Sequence, residues 1–275
     1  MKRVHLDVGH GILATVVAPS QPAEVVVLCY PGGGYGRGYF DLHPAGHDGY
    51  SQAEHHAGRG MAVVALDHAR GCGIAEVAAR NAHAAGEVLR QLSADVPVVG
   101  VGHSMGAAVL TVQQAEHHCF DAIALLGWSA IRTALPPAEG ISARSRAHFR
   151  WAYHWDDEPD WLVDADIGPD YPERGPECPP WGSATRPVPV ADVLRPRFVA
   201  SWAERVDVPV FLGFGERDVA ADPLAEPTVY AASPRVEVGR FERVAHLHNF
   251  GPGRERVWDR LVRFYDDVER VCPTH

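Results

Sequence analysis

From Val98 to Val112 the chain passes without a loop from an apolar strand pattern into a helical one, and the junction reads Gly102-His103-Ser104-Met105-Gly106. A strand that turns straight into a helix forces its central residue into a strained backbone conformation. Glycines two positions to either side let the neighbouring chain pass close to that residue. The Ser104 hydroxyl is thereby pushed out at the end of a sheet, with a helix N-terminus beneath it to favour developing negative charge. This is the geometry of a nucleophile elbow.

The rest of the chain repeats the same alternation. Val25 to Tyr30, Ala62 to Asp67, Val96 to Val101, Ala122 to Gly127 and Val208 to Phe214 are apolar throughout, as strands covered on both faces are. They predict a parallel sheet, with a sixth, less apolar parallel strand in Val236 to Val244. Ala75 to Ser93 predicts a helix with Ala78, Ala82, Ala85, Leu89 and Leu92 on its buried face, and Val257, Leu261, Phe264 and Val268 form such a face near the C-terminus. Val4 to Val8 and Leu13 to Ala18, parted by Gly9-His10-Gly11, predict an antiparallel hairpin at the sheet edge. At 275 residues and 46% hydrophobic content, the chain suits one α/β domain carrying an insertion.

Residues 131 to 202 break the rhythm. They hold 11 of the 22 prolines and, with Trp128, six of the seven tryptophans. Proline removes ladder donors and fixes φ, so a stretch such as Gly168 to Pro176 joins neither a sheet nor a long helix. The organisation expected is a core of residues 1–130 and 203–275 with a cap or lid of residues 131–202 lying over the carboxyl ends of the strands. Phe149, Trp151, Tyr153, Trp155, Trp161 and Trp181 make the segment too aromatic for a solvated linker. Its acidic run Asp156-Asp157-Glu158-Pro159-Asp160 reads as a helix start or a solvated turn.

A formal net charge of −10 argues against nucleic acid and acidic membrane surfaces as partners. Met1 to Asp7 carries no apolar signal core, and no stretch of about 18 apolar residues occurs. A soluble, cytoplasmic protein is the expectation. Five cysteines (29, 72, 119, 178 and 272), odd in number and without metal-ligand spacing, read as reduced thiols. His43, His47, His55, His56, His117 and His118 lack a helical ligand motif with a nearby general base, so no metal site is expected.

Four motifs carry a resemblance to a known family: Gly102-His103-Ser104-Met105-Gly106, Tyr30-Pro31-Gly32-Gly33-Gly34-Tyr35-Gly36, Gly213-Phe214-Gly215-Glu216-Arg217-Asp218 and Val244-Ala245-His246. With the weaker Ala65 to Gly73, they make the chain resemble the α/β-hydrolase superfamily over its whole length except residues 131 to 202, with no subfamily assigned. The fold implied is a mostly parallel central sheet with helices on both faces and a cap or lid insertion.

A serine hydroxyl needs an imidazole to take its proton and a carboxylate to hold that imidazole. The resemblance places the acid at Asp218; Glu216 and Asp222 are its neighbours, and the other site used in related enzymes, the turn Trp128-Ser129-Ala130-Ile131-Arg132, offers no carboxylate. It places the base at His246, with His248 as the alternative. The oxyanion donors implied are the N–H groups of Met105 and Gly33, Gly34 being the alternative to Gly33. The usual His-Gly at that turn is replaced by Tyr30-Pro31-Gly32. Tyr35, Trp128, Trp151, Trp155, Trp161 and Trp181 are candidates to line a substrate pocket.

The function expected is hydrolysis of an ester or thioester of a small to medium apolar molecule, with no cofactor or metal. Cleavage of a carbon–carbon bond beside a carbonyl by the same triad is the alternative within enzymes, and a ligand-binding protein on the same fold is the alternative outside them. Substrate and oligomeric state stay open.

Overall fold

The computed structural model describes residues 1–71, 73–92, 95–168, 171 and 178–271. In chain order its elements are β1 (Lys2–Asp7), β2 (Leu13–Ala18), β3 (Val25–Tyr30), α1 (Gln52–Ala57), β4 (Met61–Leu66), α2 (Ile74–Leu92), β5 (Val98–His103), α3 (Met105–His117), β6 (Ala122–Leu126), α4 (Arg146–Tyr153), α5 (Asp160–Asp166), α6 (Val190–Val193), α7 (Ala200–Ala203), β7 (Val210–Gly215), β8 (Val236–Phe241) and α8 (Arg254–Val271). One eight-stranded sheet runs β1-β2-β4-β3-β5-β6-β7-β8. β2 is antiparallel to both β1 and β4, and the remaining pairs are parallel.

Alternate residues of each central strand feed two separate cores. Val26, Leu28 and Tyr30 of β3 and Ala62, Val64 and Leu66 of β4 pack on the side of α2 and α3. Val25, Val27 and Cys29 and Met61, Val63 and Ala65 pack on the side of α1 and α8. A strand covered on both faces has no polar positions to alternate with, which is why these segments read as unbroken apolar runs. β8, the last strand, is only half buried over Val236 to Val238, in keeping with its weaker pattern.

Two expectations need adjusting. β5 begins after Pro97, whose carbonyl accepts from Val26, so the strand extends to His103 and delivers Ser104 directly. The buried line of α2 is Ile74, Val77, Ala78, Asn81, Ala84, Ala85 and Val88, while Ala82 and Leu89 are only partly covered. The helix lies against α3, and Leu89 and Leu92 pack on the same core while staying partly exposed. Val257, Leu261, Phe264 and Val268 are buried as expected.

The 131–202 segment is more helical than its prolines suggest. Pro159 and Pro189 stand at the N-cap positions of α5 and α6, where a missing N–H and a fixed φ are compatible with starting a helix. Of the stretch Gly168 to Pro176, only Gly168 and Tyr171 lie within the described residues. Cys72 and Cys272 lie outside them too, while Cys29, Cys119 and Cys178 are free thiols. Among the described residues no helix is long and apolar enough to cross a membrane. One group there, Asp41, His43 and Glu54, brings ligand-type atoms within 4.8 Å of one another. Arg3 occupies that position, its guanidinium 3.0 Å from Asp41 and 2.8 Å from Glu54 and His43, so a side chain already supplies the cation.

Candidate active site

Ser104 stands between β5 and α3 with φ 53° and ψ −121°, a conformation outside the regions a serine ordinarily visits. Its own N–H is held by the Leu126 carbonyl at 2.8 Å. A Cβ on Gly102 would lie 2.5 Å from the Ala107 Cα, and one on Gly106 would strike the carbonyls of Tyr30 and Pro31. Only glycine fits at either position, which accounts for the spacing read in the sequence. Ser104 is partly exposed at the head of α3.

His246, beyond β8, points Nε2 at Ser104 Oγ from 3.1 Å. Its Nδ1–H donates to Asp218 Oδ1 at 2.8 Å. Asp218 follows β7, and its carboxylate accepts three further bonds, from the N–H groups of Val219 (2.8 Å) and Gly215 (2.9 Å) and from His248 Nε2 (2.8 Å). Burial alone would raise this carboxyl, but the bonds and charges of His246 and His248 outweigh it and hold it well below the ordinary range. The structure therefore brings His246 to the serine and sets His248 on the far oxygen of the same carboxylate.

A third imidazole completes the cluster. His103 donates Nε2–H to the His246 carbonyl at 2.8 Å and stacks on Tyr39 with ring centroids 4.7 Å apart. Burial, together with the neighbouring His246 and His248, keeps it well below its usual pKa and so neutral. It holds the backbone of the His246 loop from beneath. The 131–202 segment holds the same loop from above: the amides of His246 and Leu247 donate to the carbonyls of Ala152 and Tyr153 at 3.1 Å, at the C-terminal end of α4, where carbonyls lack helical partners.

Met105 and the glycine turn meet beside Ser104. A Cβ on Gly33 would run into Met105 Sδ, and one on Gly32 would lie 3.2 Å from the Ser104 Cβ. Among the described residues neither the Met105 nor the Gly33 N–H has a hydrogen-bond acceptor. Two unpaired amides beside a serine hydroxyl are suited to receiving an oxyanion.

The aromatic candidates fall into different settings. Tyr35 is buried, its hydroxyl donating to Asp166 at 2.8 Å. Trp181 is buried as well and donates to the other Asp166 oxygen at 2.9 Å. Trp128 is buried beside the site with its indole N–H unpartnered. Trp151 and Trp155 flank the Arg217 guanidinium, 5.0 and 4.1 Å from their ring centroids. Trp161 lies near the surface, stacked on His47 at 3.9 Å.

Sequence reasoning missed two features. Arg217, next to Asp218, is gripped by both tryptophans and bonded to Asp156 and the His154 carbonyl. His154 is buried between Glu158 (2.6 Å) and Asp166 (3.1 Å); burial would lower it, but the two carboxylates prevail and raise it to about 9. Glu158, expected in a solvated turn or helix start, is thus a buried ion-pair partner. The signal was present as Tyr153-His154-Trp155, a histidine among aromatics just before the acidic run.

A family model described as the alpha/beta hydrolase family matches residues 25–260. A comparison with curated protein sequences finds no match. Among solved structures the chain is similar to a thermostable carboxyl esterase from Bacillus coagulans, at 17% identity and TM-score 0.62 over 97% of this chain and 98% of that one. It is similar to a naproxen esterase from Bacillus subtilis, at 16% identity and TM-score 0.63 over 96% and 91%, and to a dienelactone hydrolase from Anabaena variabilis, at 14% and 0.57 over 97% of each chain. At these identities the likeness is one of fold.

Proposed function

The chain belongs to the α/β-hydrolase family, and on that premise we propose that it is a serine hydrolase that cleaves an ester of a small to medium apolar molecule through an acyl-enzyme. The observation that carries this reading is the unbroken line from Ser104 Oγ through His246, at 3.1 Å, to Asp218, at 2.8 Å.

Ser104 Oγ attacks the carbonyl carbon while His246 Nε2 takes the hydroxyl proton. Asp218 fixes the imidazole in the tautomer that presents a lone pair to the serine and stabilises the imidazolium that forms. The negative charge moves to the former carbonyl oxygen, which the N–H groups of Met105 and Gly33 receive. Collapse expels the alcohol with the proton from His246. Water then attacks the acyl group, gives its proton to His246, and the acid leaves as Ser104 is regenerated. Every step uses side chains and amides of the chain itself.

Residues 131–202 act in this reading as a cap over the site. They set substrate choice less through Trp181 and Tyr35, which spend their polar groups on Asp166, than through the partly exposed Trp151 and Trp155. The test is a series of p-nitrophenyl esters of rising acyl length, run beside acyl-CoA thioesters and β-diketones. Turnover of the esters, lost in Ser104→Ala, supports the proposal. Preference for β-diketones would move the assignment to carbon–carbon cleavage by the same residues, and saturable binding without turnover of any class would make the protein a binder.

A further inference from the structure

The turn that carries Gly33 is gripped by a side chain that takes no part in the reaction above. His68 stands two residues beyond the end of β4 and is only 8% exposed. Its Nε2 lies 3.0 Å from the Gly32 carbonyl oxygen. A carbonyl only accepts, so Nε2 carries the proton. Burial lowers this imidazole against the opposing pull of Gly32 and Asp67, which leaves it neutral with its one N–H committed to Gly32. The Tyr35 N–H donates to the same oxygen at 3.1 Å.

A peptide unit is planar and trans, so the Gly32 C=O and the Gly33 N–H point in opposite directions. Holding the oxygen on His68 and Tyr35 fixes the Gly33 N–H pointing away from them, in a turn whose Gly32 and Gly33 lie against Ser104 and Met105. With glycine at 32, 33 and 34, no side chain resists rotation of this peptide. Its orientation is left to the two bonds on the Gly32 oxygen.

We propose that His68 is a positioning residue of the reaction, acting through the Gly32–Gly33 peptide to keep the Gly33 N–H aimed at the oxyanion. This rests on the reading of Ser104 and Gly33 given above and adds a residue outside both the triad and the hole. The same geometry favours Gly33 over Gly34 as the donor.

A second feature makes the proposal testable without relying on loss of activity alone. His68 forms part of the wall of a cavity of about 520 Å³, together with Arg37, Asp67, Arg70, Gly36 and Pro180. Ser104, Met105, Asp218 and His246 are not among its lining residues. Removing the imidazole joins the vacated space to this cavity, so a small molecule can reach the Gly32 carbonyl through it.

The experiment measures p-nitrophenyl ester turnover by wild type, His68→Ala, His68→Gln and His68→Met. His68→Ala lowers kcat by about 10- to 100-fold with KM within about twofold, short of the loss of a whole oxyanion donor. Added imidazole restores kcat saturably, whereas 1-methylimidazole, which fills the space but has no N–H to give, does not. His68→Gln, which keeps a donor, retains most of kcat, and His68→Met, similar in size without one, resembles His68→Ala. Should His68→Ala fail to fold, the Gln and Met variants decide alone. Unchanged kcat in His68→Met, or equal rescue by the two imidazoles, overturns the proposal and makes His68 a packing residue. If Ser104→Ala abolishes turnover and the His68 variants do not lower it, the catalytic reading stands and only this inference falls. If wild type turns over no ester, both fall together.

Discussion

The sheet core and the 131–202 segment are built from different interactions, and the difference separates what sustains the fold from what holds the loops of the proposed triad. In the core, strands such as Val25–Tyr30 and Met61–Leu66 bury apolar side chains on both faces, each worth roughly 1.5 to 3 kcal/mol when fully covered. In the 131–202 segment, polar and charged contacts reach the site beside one aromatic contact, the Tyr153 ring 4.9 Å from that of His246. Arg217 is held between Trp151 and Trp155, His154 between Glu158 and Asp166, and the His246 loop by the Ala152 and Tyr153 carbonyls. A change in the core therefore lowers stability first. A change in these cap contacts also reaches the loops that carry Asp218, His246 and, through Tyr35 on Asp166, the glycine turn.

The largest effect expected comes from the elbow, where a single hydroxyl matters to rate and hardly at all to packing. Ser104→Ala lowers kcat by about 10⁴- to 10⁶-fold with little change in melting temperature. His246→Ala follows it. His248→Ala leaves Asp218 three of its four donors, and its loss of kcat is smaller by at least about 100-fold. Steady-state kinetics of the three variants check this, and a reversed order for the two histidines would exchange their roles.

Next in size is the pH response of the cap. His154 is raised from 6.5 to about 9 by its two carboxylates. Its folded-state value lies above its unfolded one, so its contribution is complete below pH 6.5 and is lost as pH rises through about 9, on the order of 3 kcal/mol in all. Arg217 is bonded to the His154 carbonyl, and Tyr35 and Trp181 are bonded to Asp166. Thermal melts between pH 6 and 10 read the loss, and Asp166→Asn moves its midpoint to lower pH. A melting temperature flat across pH 9 contradicts the account. Asp218 behaves with the opposite sign: held below the ordinary carboxylate range, it stabilises the fold above about pH 4 and gives that up only in stronger acid.

Arg217→Ala sharpens the comparison at the seam between the two regions. It removes two cation–π contacts and the bond to Asp156, and is expected to lower stability by about 1 to 3 kcal/mol. Because Asp218 is the next residue, kcat falls as well, whereas a core truncation such as Val27→Ala lowers stability alone. Equal kinetic behaviour of the two variants would erase the distinction between core and cap.

The smallest effect is expected at Trp161, 38% exposed and stacked on His47. Trp161→Ala changes stability by less than about 0.5 kcal/mol and leaves ester-length preference intact. A shift in preference would place this ring in the substrate path.

The same division explains what could be read from the sequence. β3 to β7 were legible because burial on both faces leaves a local, unbroken apolar signature, and the elbow because Gly102 and Gly106 answer to close contacts that no other residue permits. Asp218 and His246 came from motif position, and the structure places both in line with Ser104. On α2 the hydrophobic pattern points to Leu89, whereas the fully buried line takes in Ile74, Val77, Asn81, Ala84 and Val88 beside the expected Ala78 and Ala85. Of the pair His154 with Asp166 only the histidine among aromatics shows in the sequence, and Arg217 with Trp151 and His68 with Gly32 leave no sign there. Each pairs segments whose proximity is fixed only by the folded chain, and charged or amide partners leave no periodic trace in sequence.

The central claim, that Ser104 is the nucleophile and is activated by His246, is tested most directly by covalent labelling. The protein is incubated with a fluorophosphonate, its intact mass is measured, and the adduct is located by peptide mapping. The account predicts one adduct per chain, on Ser104, formed orders of magnitude more slowly in His246→Ala and at the wild-type rate in Trp161→Ala. An adduct on another residue, or none on a protein that hydrolyses esters, would contradict it.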